Sequence, residues 1–473
     1  MPAAAKPVTF QSKTICKMPF MFSSKGRRHF RRALSASQIA LVALMVEGAS
    51  VALQAQVPPV AIPPDQQLGR PQDSNRSRGQ VYRQGLAEER DFTVFERERE
   101  GYEPLGARLA DQWLMFAGAE AFYEYNDNIF TTPNNKQSDS ILTLAPTLRL
   151  RSDMPLHQLN VDGGFTSKRF MDNDAEDTDS YFLSSNGRYD ISSTSFAFGR
   201  IGTARQFEDR SSPNAASGSE PTEYQRYDAS AGLAQTILRL TYQADVTLRR
   251  LDYSDVNSST GVIDQDGRDV NIVIGSARAG WEWQEGLVTY ARAAYNTRSH
   301  FSTQTTERDS DGFDVGIGIA LSRPTVYTLD ASIGVMHQSF DNAAFEDVTK
   351  PSFSLNAAYN ITPLTSLIGG VTRSLEETTT ANASSLLQTS ATVGVEHEIM
   401  RNLLGRVGLT RTWSEFQEIS RDDDIWSLNG ELKYLFSRNF YLSPRFQYSE
   451  RESPVNTSDY DQWRLVLMVG AQL

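Results

Sequence analysis

Apolar and polar residues alternate with a period of two over much of the chain from residue 113 to its end. In the last fourteen residues Trp463, Leu465, Leu467, Val469, Ala471 and Leu473 share one parity. Gln462, Arg464, Gly470 and Gln472 hold the other, interrupted by Val466 and Met468. Successive strand side chains point to opposite faces, so such a stretch predicts a strand with one apolar and one more polar face. Leu238, Leu240, Tyr242, Ala244, Val246 and Leu248 alternate likewise with Arg239, Thr241, Gln243, Asp245, Thr247 and Arg249. Phe353, Leu355, Ala357, Tyr359 and Ile361 repeat the pattern, as do Trp426, Leu428, Gly430, Leu432, Tyr434 and Phe436. Eighteen strands are predicted, starting near residues 113, 139, 157, 180, 194, 223, 238, 269, 286, 312, 325, 351, 364, 385, 402, 425, 439 and 460. Sixteen is the alternative count, because the eighth, ninth and thirteenth strands mix their parities.

The connections alternate as well. Long polar loops fall near 126–138, 171–179, 208–222, 253–267, 301–311, 340–350, 376–384, 417–424 and 452–459. Short turns fall near 152–155, 191–193, 235–237, 284–286, 322–325, 362–363, 399–402 and 437–439. Short turns on one side and long loops on the other are the signature of a transmembrane antiparallel up-and-down β-barrel. An open sheet edge exposes unpaired N–H and C=O groups, and inside lipid only closure satisfies them. The predicted fold is therefore all-β, with a largely disordered N-terminal extension. A soluble barrel of this size would need an enormous apolar filling, so the apolar face is assigned to lipid and the polar face to a wet lumen.

That parity turns Glu120, Glu124, Arg149, Asp162, Lys168, Arg188, Asp190, Arg239, Asp245, Arg249, Glu396, Glu431, Lys433 and Arg445 inward. Such a surface either hydrates a channel and offers hydrogen bonds to hydroxyl-rich solutes, or pairs with itself and holds the lumen rigid. Neither charge dominates, so no ion selectivity is predicted. Tyr123, Tyr125, Phe170, Tyr181, Phe207, Tyr224, Tyr253, Phe301, Phe313, Phe340, Trp413, Trp426, Tyr448 and Tyr460 stand where strands meet long loops, which predicts an aromatic girdle at the lipid–water boundary. Pro146 and Pro444 fall inside strands and each deletes a ladder hydrogen bond, so a bulge or register change is expected there.

Composition refines this picture. Only 39% of residues are apolar and the mean hydropathy is −0.43, values that a barrel with one polar face per strand accommodates. Residues 1–55 read as a signal peptide: Lys25, Arg27, Arg28, Arg31 and Arg32 precede an apolar run over 33–46, with small residues at Ala52 and Ala55. Residues 56–112 read as a Pro- and charge-rich periplasmic linker, or as a plug or docking segment, and 113–473 as the barrel. Without 1–55 the chain holds 38 Lys+Arg against 57 Asp+Glu, a net charge of about −19 that speaks against nucleic-acid binding. The one cysteine, Cys16, lies within that leader, so thiol chemistry is not expected. No cofactor or metal site is predicted. The acidic loops, Asp172, Asp174, Glu176, Asp177 and Asp179, and then 422–424, lack an ordered calcium-loop spacing and read as solvated, mutually repelling surface. A hydrolase at the outer rim would need a base beside a nucleophile. His157 and His397 lie toward the short-turn side, while parity turns His300 inward and His337 toward lipid, so no catalytic residues are assigned.

The runs YEPLGARL at 102–109, YNDNIFTT at 125–132, SDSILTLAPTLRLRSD at 138–153 and HQLNVDGGF at 157–165 resemble the second of the outer-membrane β-barrel porin families. The resemblance implies an outer-membrane channel of a Gram-negative bacterium, of the kind often encoded in exopolysaccharide or capsule gene clusters. The barrel reading makes outer-membrane lipid and lipopolysaccharide and the outer-membrane assembly machinery the expected partners, and the resemblance adds polysaccharide or periplasmic export components. It carries over no functional residues. The terminal Leu473 departs from the Phe usual at the end of such barrels. The rival readings are a structural or docking barrel with an occluded lumen and, third, an outer-membrane hydrolase.

Overall fold

The computed structural model describes residues 93–97, 99–110, 112–215, 218–259, 261–301, 308–323, 325–380, 382–455 and 457–473. The leader at 1–55 and the first part of the linker, 56–92, lie outside the described residues.

A short strand, β1 (Ala107–Ala110), precedes the barrel. The first seven barrel strands are β2 (Trp113–Asn126), β3 (Asp139–Ser152), β4 (Gln158–Phe170), β5 (Thr178–Ser192), β6 (Ser195–Phe207), β7 (Glu223–Ile237) and β8 (Leu240–Tyr253). A small hairpin, β9 (Val256–Ser258) and β10 (Gly261–Ile263), decorates the following loop. Then come β11 (Val270–Gln284), β12 (Leu287–His300), β13 (Ser310–Arg323), β14 (Tyr327–Phe340), β15 (Val348–Thr362) and β16 (Thr365–Glu376). The last five are β17 (Leu386–Met400), β18 (Leu403–Phe416), β19 (Asp422–Leu435), β20 (Phe440–Glu452) and β21 (Tyr460–Gln472). Every predicted strand start falls within three residues of the observed one, and the count of eighteen barrel strands holds.

Each barrel strand pairs antiparallel with its sequence neighbours, and β2 closes the ring on β21 from Gly118↔Gln472 to Asn126↔Arg464. Because β21 ends opposite Gly118, the start of β2 would be left with an open edge. Strand β1 covers it, with Ala107 opposite Met115 and Arg108 opposite Leu114.

The two faces separate as the alternation predicts. In β21, Leu465, Leu467 and Val469 are exposed to the outside, whereas Gln462, Arg464 and Met468 are buried within. Ile317 and Ile333 sit opposite one another at 64% and 66% exposure, in the middle of a continuous apolar band. Among the described residues no apolar core fills the ring. Buried apolar clusters instead line the inner wall near the mouths, as with Tyr224, Leu251, Tyr253, Val270, Ile272 and Ile274.

Three expectations are corrected. The prolines cause no bulge: the register of β3 on β4 is the same on both sides of Pro146, and that of β20 on β19 is the same on both sides of Pro444. Proline removes one N–H toward one neighbour, and each ladder skips that point and resumes. Leu238 and Arg239 form the two-residue turn between β7 and β8, so both leave the strand; Leu238 has a φ of 57° and is 94% exposed. The aromatic girdle is smaller than predicted at the loop end, because Phe170, Tyr224, Tyr253, Phe340 and Tyr460 share parity with buried interior residues. A second girdle stands at the short-turn end, where Tyr189, Trp281, Trp283, Tyr359, Phe436 and Phe440 are exposed.

Candidate channel lumen

The inner wall is built from every second residue of each strand, and its chemistry changes around the ring. In the middle of β13–β17 it is small and uncharged, with Gly316, Ser332, Gly334, Ser352, Gly370 and Thr392, while Asp314, Asp330 and Glu396 stand on the same face. The wall from β19 round through β2 to β12 carries paired charges. Arg149 Nε lies 2.5 Å from Asp162, and Arg188 lies 2.6 Å from Asp190 while stacking on the Phe196 ring at 3.9 Å. Arg249 lies 2.8 Å from Asp228, and Arg278 and Asp330 pair at 2.9 Å. Glu431 accepts from Arg406 at 2.6 Å and Ser443 at 2.7 Å, with Arg445 at 3.1 Å. Tyr441 donates to Glu120 at 2.5 Å, and the Lys433 ammonium lies 4.5 Å from the Tyr441 ring. Asp245 accepts from Ser276 at 2.8 Å, and Arg464 stands 3.8 Å from Glu124. Lys168 lies over Phe170 on the inner face. Arg239 is at the rim instead, exposed in its turn and donating to the Trp283 carbonyl.

Among the described residues two interior side chains stay exposed in the body of the wall, Arg200 on β6 and Thr392 on β17. Their neighbours of the same parity, Phe196 and Phe198 on β6 and Gly394 and Glu396 on β17, are buried, so both belong to the inner face. β6 is the fifth stave and β17 the fourteenth of eighteen, so they face one another across the ring. An interior side chain can be solvent-accessible only where the lumen holds water. Solvent therefore reaches both of these walls inside the ring.

Both mouths are narrowed by peptide. At the loop end the β6–β7 connection reaches across the ring. Asn214 Nδ2 donates to the Glu377 carbonyl at 3.2 Å, while Asn214 Oδ1 accepts from Thr378 Oγ1 at 3.0 Å and Thr379 N at 3.1 Å. The same connection is held by Arg451, which donates to the Ser211 carbonyl at 3.0 Å, and by Thr131, which donates to the Arg210 carbonyl at 2.9 Å. Arg464 faces Asp209 at 3.7 Å. Arg298, Arg308 and His300 grip the partner segment, through the Leu375 carbonyl, the Thr380 and Ala383 carbonyls, and Glu377 respectively. The acidic loops are paired, contrary to the reading of a mutually repelling surface: Glu176 to Arg210 at 2.5 Å, Asp179 to Arg169 at 2.8 Å, Asp423 to Arg421 at 2.7 Å and Asp424 to Arg411 at 2.6 Å.

At the short-turn end the segment preceding β1 is lodged against the inner wall. Val94 N donates to Ser366 Oγ and Phe95 N to Glu396 Oε2, both at 2.9 Å. Arg99 bridges to Glu398 at 3.1 Å and to the Val94 carbonyl at 2.6 Å, and Arg97 donates to the Pro363 carbonyl. Further along, Tyr102 packs against Leu435, Tyr441 and Met468. This segment thus runs from the β16–β18 wall to the seam of the barrel. No periodicity in the sequence marks it, and only its pairing with the wall reveals it.

The loop-end contacts depend on charge. Burial opposes ionisation of Asp209, but Arg464, Ser211 and Lys168 outweigh it and hold the carboxyl below its usual range. Burial likewise opposes Glu377, yet His300, Arg298 and Arg308 hold it low. A depressed carboxyl contributes stability above its unfolded value that is lost as pH falls through the folded one. Single-channel recordings from pH 7 down to pH 3 are expected to show a rise in conductance on the acid side, below the ordinary carboxylate range. A rise in conductance already above the ordinary carboxylate range would mean that other groups hold the loop.

A closed ring of amphipathic strands, greasy outside and wet inside, is an outer-membrane β-barrel channel of the porin type. Residues 100–473 match the model of the family described as "Putative beta-barrel porin 2", and the chain belongs to that family. Its place is the outer membrane of a Gram-negative bacterium. No curated protein matches the sequence. Similar solved structures include OpdK of Pseudomonas aeruginosa (TM-score 0.43, 13% identity, 76% of this chain and 99% of that one). OpdO of the same organism gives 0.43 at 15% identity over 77% and 98%. OccAB4 of Acinetobacter baumannii gives 0.42 at 11% identity over 77% and 100%.

Proposed function

We propose that the barrel is a regulated conduit for polar, hydroxyl-rich solutes, narrowed at both mouths by segments that move aside, and that it serves export or assembly of surface polysaccharide. The observation that carries the conduit is the exposure of Arg200 and Thr392 on facing inner walls. The hydroxyls and glycines in the middle of the β13–β17 wall, Ser332, Gly334, Ser352, Gly370 and Thr392, offer hydrogen bonds to a sugar, and the family resemblance supports the polysaccharide link. In planar bilayers the purified protein is expected to give discrete conductance steps. Persistent silence from folded protein would favour the docking barrel with an occluded lumen. Unaltered surface glycan after removal of the gene would sever the polysaccharide link alone.

The exterior of the loop end supports lipopolysaccharide as the lipid partner. Arg250 over Phe301 at 4.7 Å, and Arg411 over Trp413 and Trp426 at 4.6 and 4.5 Å, offer cations and rings at headgroup height. The segment at the other mouth is the contact point for a periplasmic export component. Glu396→Ala removes the carboxylate that receives the Phe95 amide, a hydrogen bond to a charged group worth ~1.5–3 kcal/mol. Undocking is then favoured about tenfold or more, read as longer open times in single-channel records. Unchanged open times would show that the segment does not gate.

A further inference from the structure

The inner wall of β6–β8 holds more positive charge than its carboxylates balance. Arg226 and Arg249 share one carboxylate, Asp228, at 2.5 and 2.8 Å. Arg200 stands in the middle of β6 with no carboxylate partner among the described residues. Asp245 on β8 is the second inner carboxylate, so three guanidinium groups face two carboxylates and leave this wall one charge positive. Arg200 is exposed to the bore, so a passing solute can reach it. Its cross-strand neighbours are Asn186 on β5 and Ser230 on β7. Asn160 donates to Asn186 Oδ1 at 2.9 Å, which fixes that amide with its NH2 group as the free end. A planar guanidinium matches a carboxylate with two parallel N–H donors, and an amide and a hydroxyl beside it suit the hydroxyls of a hydroxylated acid.

We propose that Arg200, with Asn186 and Ser230 beside it and Arg226 and Arg249 adding field, binds the carboxylate of hydroxylated organic acids in transit through the lumen. The inference rests on the conduit reading above. It makes the channel anion-preferring at this level although the inner wall as a whole is nearly balanced in charge.

The test uses planar-bilayer recording in potassium chloride with gluconate as the probe and sorbitol, the matching polyol without a carboxylate, as control. Gluconate is expected to reduce the chloride current in a concentration-dependent manner and sorbitol to leave it unchanged. Arg200→Ala should raise the blocking concentration at least tenfold and shift the reversal potential in a salt gradient toward cation preference. Arg200→Lys keeps the charge but not the fork, so it should keep the reversal potential and lose most of the gluconate block. Equal block of wild type and Arg200→Ala overturns the site, as does full block in Arg200→Lys. Conductance without block removes the site and leaves the conduit standing, whereas a folded wild type that never conducts removes both.

Discussion

Ile333→Arg is expected to lower the stability of the barrel in lipid vesicles by ~2–4 kcal/mol, the cost of a cation at the bilayer midplane on a lipid-facing strand position. Ile333 lies halfway along β14 with two-thirds of its surface outward, opposite Ile317 on β13, so no nearby rim lets the side chain escape to water. The next residue, Ser332, faces inward and donates or accepts within the hydroxyl wall, at 3.0 Å from Ser354. A charge there meets the lumen instead of lipid. Denaturant titration of the vesicle-bound protein measures the effect. If Ile333→Arg were neutral, the face assigned to lipid would be wrong for the whole of β14, since the side-chain period of a strand ties all its residues together.

Asn214→Ala should change transport more than any other single substitution outside the bore. The side chain makes three hydrogen bonds of 3.2 Å or less to the 377–379 segment, and Thr379 Oγ1 adds a longer one at 3.5 Å. At ~0.5–1.5 kcal/mol each, their loss destabilises the bridge by ~2–4 kcal/mol, enough to shift the bridged and unbridged forms by well over tenfold. Larger unitary conductance, or new large substates, should appear in single-channel records, with folding intact because the strands are untouched. A conductance identical to wild type would show that the bridge lies beside the permeation path.

Much of the architecture is readable from alternation alone, for a physical reason. The pleat forces every second residue of a strand to the same face, so the sequence of β21 or β19 states which side is lipid. The turns are short enough that their positions follow from the strands. Exceptions arise where something other than the pleat decides. Tyr224, Tyr253 and Tyr460 have the composition of a girdle but the parity of the interior, and parity prevails because the backbone sets it. Pro146 suggests a bulge on composition, yet it costs one hydrogen bond toward one neighbour and the ladder tolerates it. Arg239 continues the parity of β8 but falls in a two-residue turn, whose backbone leaves the pleat.

The lumen is legible only in part. Charged residues such as Arg149, Asp162, Glu431 and Arg445 follow from parity, but which of them meet does not. Arg278 pairs with Asp330 across two intervening strands, a contact set by side-chain length and tilt. The bridge from Asn214 to Glu377 and the docking of Phe95 on Glu396 each involve a segment without periodicity and join residues more than 150 positions apart. Such contacts depend on the closed ring bringing distant segments to one mouth, which no local pattern records. Arg200 is the instructive case: it shares its parity with Phe196, Phe198, Gly202 and Ala204, so alternation does not single it out as lumen-facing. What sets it apart is that it has no carboxylate partner among the described residues.

The central claim is that one face of each stave meets lipid and the other meets water, and Thr392 and Val393 test it within a single strand. Both are exposed, Val393 at 50%, yet they point to opposite sides of β17. A chain beginning after residue 55 contains no cysteine, so Thr392→Cys and Val393→Cys each supply a unique thiol. In lipid vesicles a charged, membrane-impermeant maleimide should label Thr392→Cys rapidly and leave Val393→Cys unmodified. Rapid labelling at 393 with protection at 392 would contradict the account outright.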